Sequence, residues 1–312
     1  MSFKKIGFIG LGIMGKPMAS RLIQAGYSVF LHSRSGVPDE LIKAGGNACH
    51  SATEVAEKAD IVILMLPDTA DVEEVLFSEN GVAMGLAAAR PTNPPMRKIV
   101  VDMSSISPDQ TCHFANCIAE LGHDYADAPV SGGQIGAQQG TLTIMVGATQ
   151  TVFEAIHPVL ARMGQHITHI GKPGSGQICK VANQIVVAST LAAVAEALVF
   201  ASKAGASVEN IRQALLGGFA ASRILDVHGE RMINRDFQPG FRIDLQVKDL
   251  DIALACAAEL GVSLPNTALT QSLYQACIAQ GDQLLDNSAI VRILEKISNH
   301  EITQQATCSV VS

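Results

Sequence analysis

Residues 4–15 read KKIGFIGLGIMG, an apolar run that passes into Gly10-x-Gly12-x-x-Gly15. A short run rich in Ile and Phe reads as a buried strand, and the glycines that close it read as a turn into a helix. Each glycine has its own task. Gly10 permits the tight turn, Gly12 lets the backbone approach a pyrophosphate, and Gly15 lets the next helix pack closely on the strand. A helix opening there offers N–H groups and its positive dipole end to phosphate oxygens. Leu11, Ile13 and Met14 are therefore expected to line a dinucleotide together with the three glycines. The two leading lysines suit an export signal, but glycines break the run and no small-x-small cleavage site follows.

Outward from this stretch, strand patterns recur at 27–32, 60–66, 98–103, 123–130, 141–146 and 166–170, with helical patterns between several of them. Ser51 and Glu54 have the spacing of a capping box, and Ser107-Pro108 supplies an N-cap followed by a first-turn proline. Strands alternating with helices imply right-handed crossovers and a largely parallel, doubly wound sheet. After about residue 171 the strand patterns stop. Helices are expected at about 175–203, 207–216, 244–260, 265–280 and 288–297. The fold class is thus α/β, with a Rossmann-type domain over 1–170 and an all-helical domain over 171–300, joined by the 175–203 helix. A Pro-rich surface loop is expected at 87–98 and a flexible tail at 301–312.

At 312 residues the chain is long enough for two such cores. Apolar residues at 48% against 16% charged exclude a disordered chain. The net charge of −7 comes without a basic stripe, which argues against nucleic acid. The seven cysteines include no CxxC pair and fit reduced thiols, and no histidine spacing asks for a metal. Residues 181–200 are apolar enough for a membrane span, yet they carry Asn183, Gln184 and Glu196 and lack an aromatic belt. A buried or self-associating helix is the better reading, which points to a homodimer or homotetramer in the cytoplasm.

The residue ending the second strand bears on NAD against NADP. An acid there would take the ribose hydroxyls, but the chain reads His32-Ser33-Arg34-Ser35, with no acid before Asp39. Arg34 could pair with a 2′-phosphate, helped by Ser33. The pattern leans towards NADP and leaves NAD open.

Two further segments carry chemistry. In DAPVSGG (127–133), the turn Ser131-Gly132-Gly133 can offer a hydroxyl and successive N–H groups to a carboxylate. In GSGQICKVANQ (174–184), Lys180, Asn183 and Gln184 recur at i, i+3 and i+4 and share one face of an apolar helix. An ammonium is costly there unless it is paired or serves as an acid–base group.

IGFIGLGIMGKPMA, DAPVSGG with GTLTIMVG, GSGQICKVANQ and PGFRIDLQVKDLDIA occur in this order along nearly the whole chain. In these four motifs the chain resembles the β-hydroxyacid (3-hydroxyisobutyrate-related) dehydrogenases. VDMSSISP, GGFAASRILDVHGERM and LPNTA draw it towards the branch that acts on 2-hydroxy-3-oxopropionate. The resemblance implies a nicotinamide-dependent oxidoreductase acting on a small carboxylate substrate. It implies Lys180 as proton donor, Asn183 as the residue that holds substrate and lysine in register, and Ser131, Gly132 and Gly133 at the substrate carboxylate. It also implies Leu66, Pro67 and Ser105 on the nicotinamide side, and Lys248 reaching the cofactor. Other short β-hydroxyacids, or a catalytically silent dinucleotide-binding protein, remain the alternatives.

Overall fold

The computed structural model describes residues 5–88 and 97–302. Of the proline-rich loop expected at 87–98, residues 89–96 lie outside the described residues, while Ala87 ends a helix and Lys98 is buried; of the tail expected at 301–312, residues from 303 lie outside them. Two compact units meet within one helix, the first ending at Lys180 and the second beginning at Val181.

In the first unit, β1 (Lys5–Ile9), β2 (Ser28–His32), β3 (Asn47–Ala48), β4 (Ile61–Leu64), β5 (Ile99–Asp102) and β6 (Asp124–Asp127) run parallel in the order β3-β2-β1-β4-β5-β6. This is the doubly wound order of dinucleotide-binding sheets. The helices of this unit are α1 (Gly15–Gln24), α2 (Asp39–Lys43), α3 (Ala52–Lys58), α4 (Thr69–Phe77), α5 (Val82–Ala87), α6 (Pro108–Glu120), α7 (Gly133–Gln139) and α8 (Gln150–Leu160). β4 reads IVIL and is buried throughout because helices cover both faces of the sheet. Ile6 and Phe8 pack with Met18 and Leu22 in one core, while Ile9 and Leu64 share another with Val55 and Phe114. Strand order reverses between β1 and β4, and such sheets bind ligands outside the carboxyl ends of the strands at that reversal.

Beyond β6 the sheet continues through β7 (Val130–Ser131), β8 (Leu142–Gly147) and β9 (Gly164–Gly171). β8 is antiparallel to β6 and β7 but parallel to β9. The single strand expected over 123–130 is therefore broken after Asp127. Pro129 has no N–H to give a ladder, and pairing resumes at Val130.

α9 (Ser175–Lys203) spans the unit boundary, and α10 (Val208–Leu216), α11 (Arg223–Asn234), α12 (Ile243–Leu260), α13 (Pro265–Ala279) and α14 (Ile290–Ser298) follow. Ala188, Leu191, Ala195 and Leu198 of α9 lie in the core of the second unit, with Leu250, Tyr274 and Ile290. Among the described residues α9 is the one helix long and apolar enough to cross a membrane, and 44% of that stretch is buried inside the protein. The sequence pattern missed α11, whose inner face includes Gly229, where a Cβ would stand 3.6 Å from the Arg212 side chain. A glycine at a core-facing position interrupts the apolar period. The capping box closes one residue early. Ser51 accepts from Glu54 N (3.1 Å), but Glu54 accepts from His50 N (2.7 Å) rather than from Ser51.

Candidate active site

The turn after β1 has no room for a side chain at Gly10 or at Gly15. Gly10 has a φ of +96°, and a Cβ there would stand 2.2 Å from Met65 O, in the loop after β4. A Cβ on Gly15 would stand 1.8 Å from Gly10 O, so α1 sits directly on the turn. A Cβ on Gly12 would meet nothing within 4 Å. Beside that open space α1 begins without a side-chain cap, whereas Ser51, Asp68 and Ser107 cap α3, α4 and α6. An uncapped helix start next to open space fits a pyrophosphate. The residues present therefore suit a dinucleotide.

Gly10 N–H donates to His32 O (3.0 Å), which brings Ser33 and Arg34 beside the turn. Ser33 Oγ lies 3.3 Å from Ser35 Oγ. The Arg34 side chain is 82% exposed, with Nη1 3.4 Å from Asp71 Oδ1. In the loop after β4, Leu66 N–H donates to Ser104 Oγ (2.9 Å), and Pro67 beside it is exposed. Ser105 follows in the loop after β5 and is half-buried.

Ser131-Gly132-Gly133 carries the chain from β7 into α7, with φ of +128° at Gly132 and +60° at Gly133. Both values lie where glycine is at ease and other residues are strained. A Cβ on Gly133 would meet nothing within 4 Å.

The first turn of α9 is anchored to this region. Asp127, fully buried at the end of β6, accepts from Gly174 N (2.7 Å) and Gln177 N (2.8 Å). Burial pushes its carboxyl up to about 6, against the pull of those two N–H groups. Lys180 is 8% exposed, and its Nζ donates to Val130 O at 2.9 Å. That carbonyl belongs to the peptide bond entering Ser131, so the ammonium lies beside the Ser-Gly-Gly turn.

In the second unit, Asn183 Nδ2 donates to Gln184 Oε1 (2.7 Å) and Gln184 Nε2 donates to Asp249 Oδ2 (2.7 Å). Lys248 Nζ stands 3.0 Å from Asp249 Oδ1. Asn183, Gln184 and Lys248 thus share one polar chain through Asp249, which sequence reasoning missed. Adjacent residues on a helix do not normally face each other, so the Lys-Asp spacing gave no reason to pair them. Gln177 was missed as well, because a lone glutamine carries no chemical signature.

A doubly wound sheet with a glycine turn shaped for pyrophosphate, followed by an all-helical unit, is the build of a nicotinamide-dependent oxidoreductase. Residues 5–171 match the family described as the NAD-binding domain of 6-phosphogluconate dehydrogenase. Residues 174–294 match the one described as NAD-binding of NADP-dependent 3-hydroxyisobutyrate dehydrogenase. The 2-hydroxy-3-oxopropionate reductase of Escherichia coli K12 is 53% identical over 298 residues, covering 96% of this chain and 99% of its own. A 3-hydroxyisobutyrate dehydrogenase of Mycobacterium tuberculosis, solved with L-serine, superposes with a TM-score of 0.82 at 32% identity, covering 94% of this chain and 99% of its own. The enzyme of that name from Salmonella typhimurium also gives 0.82, at 28% identity, covering 94% and 100%. The chain belongs to the 3-hydroxyisobutyrate-related family of NAD(P)-dependent β-hydroxyacid dehydrogenases.

Proposed function

We propose that this chain reduces 2-hydroxy-3-oxopropionate to D-glycerate, with Lys180 as proton donor. The observation that carries the chemistry is the buried Lys180 ammonium, 2.9 Å from the carbonyl that leads into Ser131-Gly132-Gly133. The substrate is suggested by the Escherichia coli relative, whose name carries that compound.

Gly10, Leu11, Gly12, Ile13, Met14 and Gly15 would hold the pyrophosphate. Ser33 and Arg34 would meet the adenosine ribose, and Leu66, Pro67, Ser105 and Lys248 serve the rest of the cofactor. When bound, the reduced nicotinamide supplies the hydride that converts the aldehyde carbon into an alcohol carbon. The turn at Ser131 seats the substrate carboxylate and makes the encounter effectively unimolecular. Lys180 passes a proton from Nζ to the carbonyl oxygen as negative charge builds there, and the neutral amine is reprotonated from solvent. Asn183, one turn further along α9, holds substrate and lysine in register, and the Gln184 bond fixes its amide.

The substrate is tested by a matrix of semialdehydes and hydroxyacids against both nicotinamides. A higher kcat/KM for 3-hydroxyisobutyrate than for glycerate would overturn the substrate. Lys180→Ala should keep cofactor affinity and lose turnover by about 10²-fold or more. Lys180→Arg should fail too, because a guanidinium does not release its proton near neutral pH. Wild-type turnover in either variant would remove the lysine from the mechanism.

Large apolar side chains are exposed on the second unit, among them Val186 and Phe200 on α9 and Leu269 on α13. They support a homodimer or homotetramer, and a monomer mass by light scattering would remove that part of the proposal. The six described cysteines are thiols, which suits the reducing cytoplasm.

A further inference from the structure

Gln177 takes no part in this proton transfer, yet its side chain is fully buried and both ends of its amide are engaged. Nε2 donates to Ser104 O (2.7 Å), and Oε1 accepts from Ile106 N (3.2 Å). Those two backbone groups flank Ser105, so one side chain grips the loop on either side of a single residue. Ser104 extends the chain, since its Oγ accepts from Leu66 N (2.9 Å) and its N–H donates to Asp102 Oδ1 (2.9 Å). At the other end, Gln177 N–H donates to Asp127 Oδ2 (2.8 Å), and Lys180 stands three residues further along α9. A continuous polar path therefore runs from the loop after β4, through the loop after β5, into the turn of helix that carries the lysine.

The chemistry of the position is specific. Its two backbone partners ask for one donor and one acceptor in the same side chain, which a carboxamide provides. An apolar side chain of the same length would fill the space and leave a buried carbonyl and a buried N–H without those bonds.

We propose that Gln177 is a positioning residue that fixes the register between the Ser105 loop, on the hydride side, and Lys180, on the proton side. The inference rests on the reading of Lys180 as proton donor. A misplacement of about 1 Å between reacting groups can cost about 10²-fold in rate, so a loosened loop appears in turnover before it appears in binding.

Two variants test it. Gln177→Met keeps the length without the amide. Gln177→Glu keeps an acceptor for Ile106 N–H but sets a carboxylate oxygen against Ser104 O until that carboxyl takes a proton. Gln177→Met should lower kcat by about 10²-fold and change KM for the cofactor by less than about threefold. In the cofactor-free protein, amide exchange at Ile106 should speed up by about tenfold or more in the same variant. The kcat of Gln177→Glu relative to wild type should recover as pH falls, because burial raises the carboxyl pKa and the protonated form regains the donor. The same ratio for Gln177→Met should stay flat.

A kcat within about twofold of wild type in folded Gln177→Met would overturn the proposal, and so would unchanged exchange at Ile106. A Gln177→Glu-to-wild-type ratio of kcat that stays flat as pH falls would overturn it too, and would decide alone if Gln177→Met did not fold. The exchange measurement involves neither cofactor nor Lys180, so its failure is distinct from a failure of the lysine assignment.

Discussion

Asp127 in the first unit and Asp286 in the second are both fully buried, and each gathers backbone N–H groups from a segment that its unit must hold still. Asp127 takes Gly174 N and Gln177 N, and its partner across the β5–β6 register is another acid, Asp102. Asp286 takes Gly240 N (2.9 Å), Phe241 N (3.1 Å), and both N and Oγ of Ser288. It also has Arg231 Nη1 at 2.9 Å and His228 Nδ1 at 3.5 Å. Burial raises both carboxyls, and the outcomes part from there. At Asp127 burial wins. At Asp286 the nearby His228 ring, the bonds from Ser288 and Phe241, and the Arg231 guanidinium overcome it and hold the carboxyl far below the usual range. A cation beside a buried carboxylate makes a fixed structural charge, whereas N–H groups beside a second acid leave one that titrates near neutral pH. The titrating one sits at the start of the lysine helix.

The strongest way to break this comparison is Asp286→Ala. It leaves a half-buried guanidinium and a half-buried imidazole without the buried carboxylate they face, a loss of about 3 kcal/mol. Denaturant unfolding followed in the second unit should show it, and a loss under about 1 kcal/mol would put the pair in the class of surface ion pairs. The pH dependence has a definite sign. A folded-state pKa below the unfolded one contributes stability that is present above about pH 4 and is lost as pH falls further.

Asp127 should show the opposite slope. Its folded value of about 6 lies above the ordinary 3.8, so between those values the folded protein holds a proton that the unfolded chain has released. The contribution is complete below about pH 4 and is lost as pH rises through about 6. At about 1.4 kcal/mol per pKa unit, the unfolding free energy of wild type should gain about 3 kcal/mol over Asp127→Asn between pH 7 and pH 4. Turnover should move the other way, because a protonated Asp127 holds Gly174 and Gln177 more weakly. A stability difference that shrinks on acidification would show that the N–H bonds outweigh burial, and the contrast with Asp286 would vanish.

These two aspartates mark how far the sequence could be read. The glycine turn, the alternation of strands with helices and the 175–203 helix were legible because each is a local pattern with one physical cause: backbone room beside a pyrophosphate, short apolar runs buried on both faces of a parallel sheet, and a long apolar run bounded by glycines. Lys180, Asn183 and Gln184 were legible as polar residues on one face of an apolar helix. Asp127 lay inside a quoted motif and Asp286 in an ordinary DNS stretch, and neither showed burial. Their partners lie 47 and 50 residues away for Asp127 and up to 58 for Asp286, at separations where spacing carries no information. Gln177 reaches 73 residues back to Ser104 for the same reason. Long-range polar contacts are decided by topology, and the pattern around them looks like any other.

The smallest effect, and the sharpest use of the comparison, lies at Arg34. Like Arg231 it is a guanidinium facing an aspartate, Asp71 at 3.4 Å, but its side chain is 82% exposed where that of Arg231 is 18% exposed. An exposed pair contributes about 0.2–1 kcal/mol, so Arg34→Ala should scarcely move the denaturation midpoint. What it should move is cofactor choice. A charge-assisted contact to a 2′-phosphate is worth about 1.5–3 kcal/mol, and solvent exposure with competition from Asp71 brings it to the lower end. Arg34→Ala should therefore weaken NADPH by about tenfold and leave NADH unchanged, because NADH has no phosphate at that place. Asp71→Ala should act in the opposite sense and tighten NADPH by freeing the guanidinium. Direct titration of both variants with both nucleotides reads the result. Equal losses for NADPH and NADH in Arg34→Ala would make the residue structural. A wild-type preference for NADH would leave Ser33 and its backbone neighbours to serve the ribose hydroxyls, while Lys180 and the Ser131 turn would keep their roles at the other end of the cofactor.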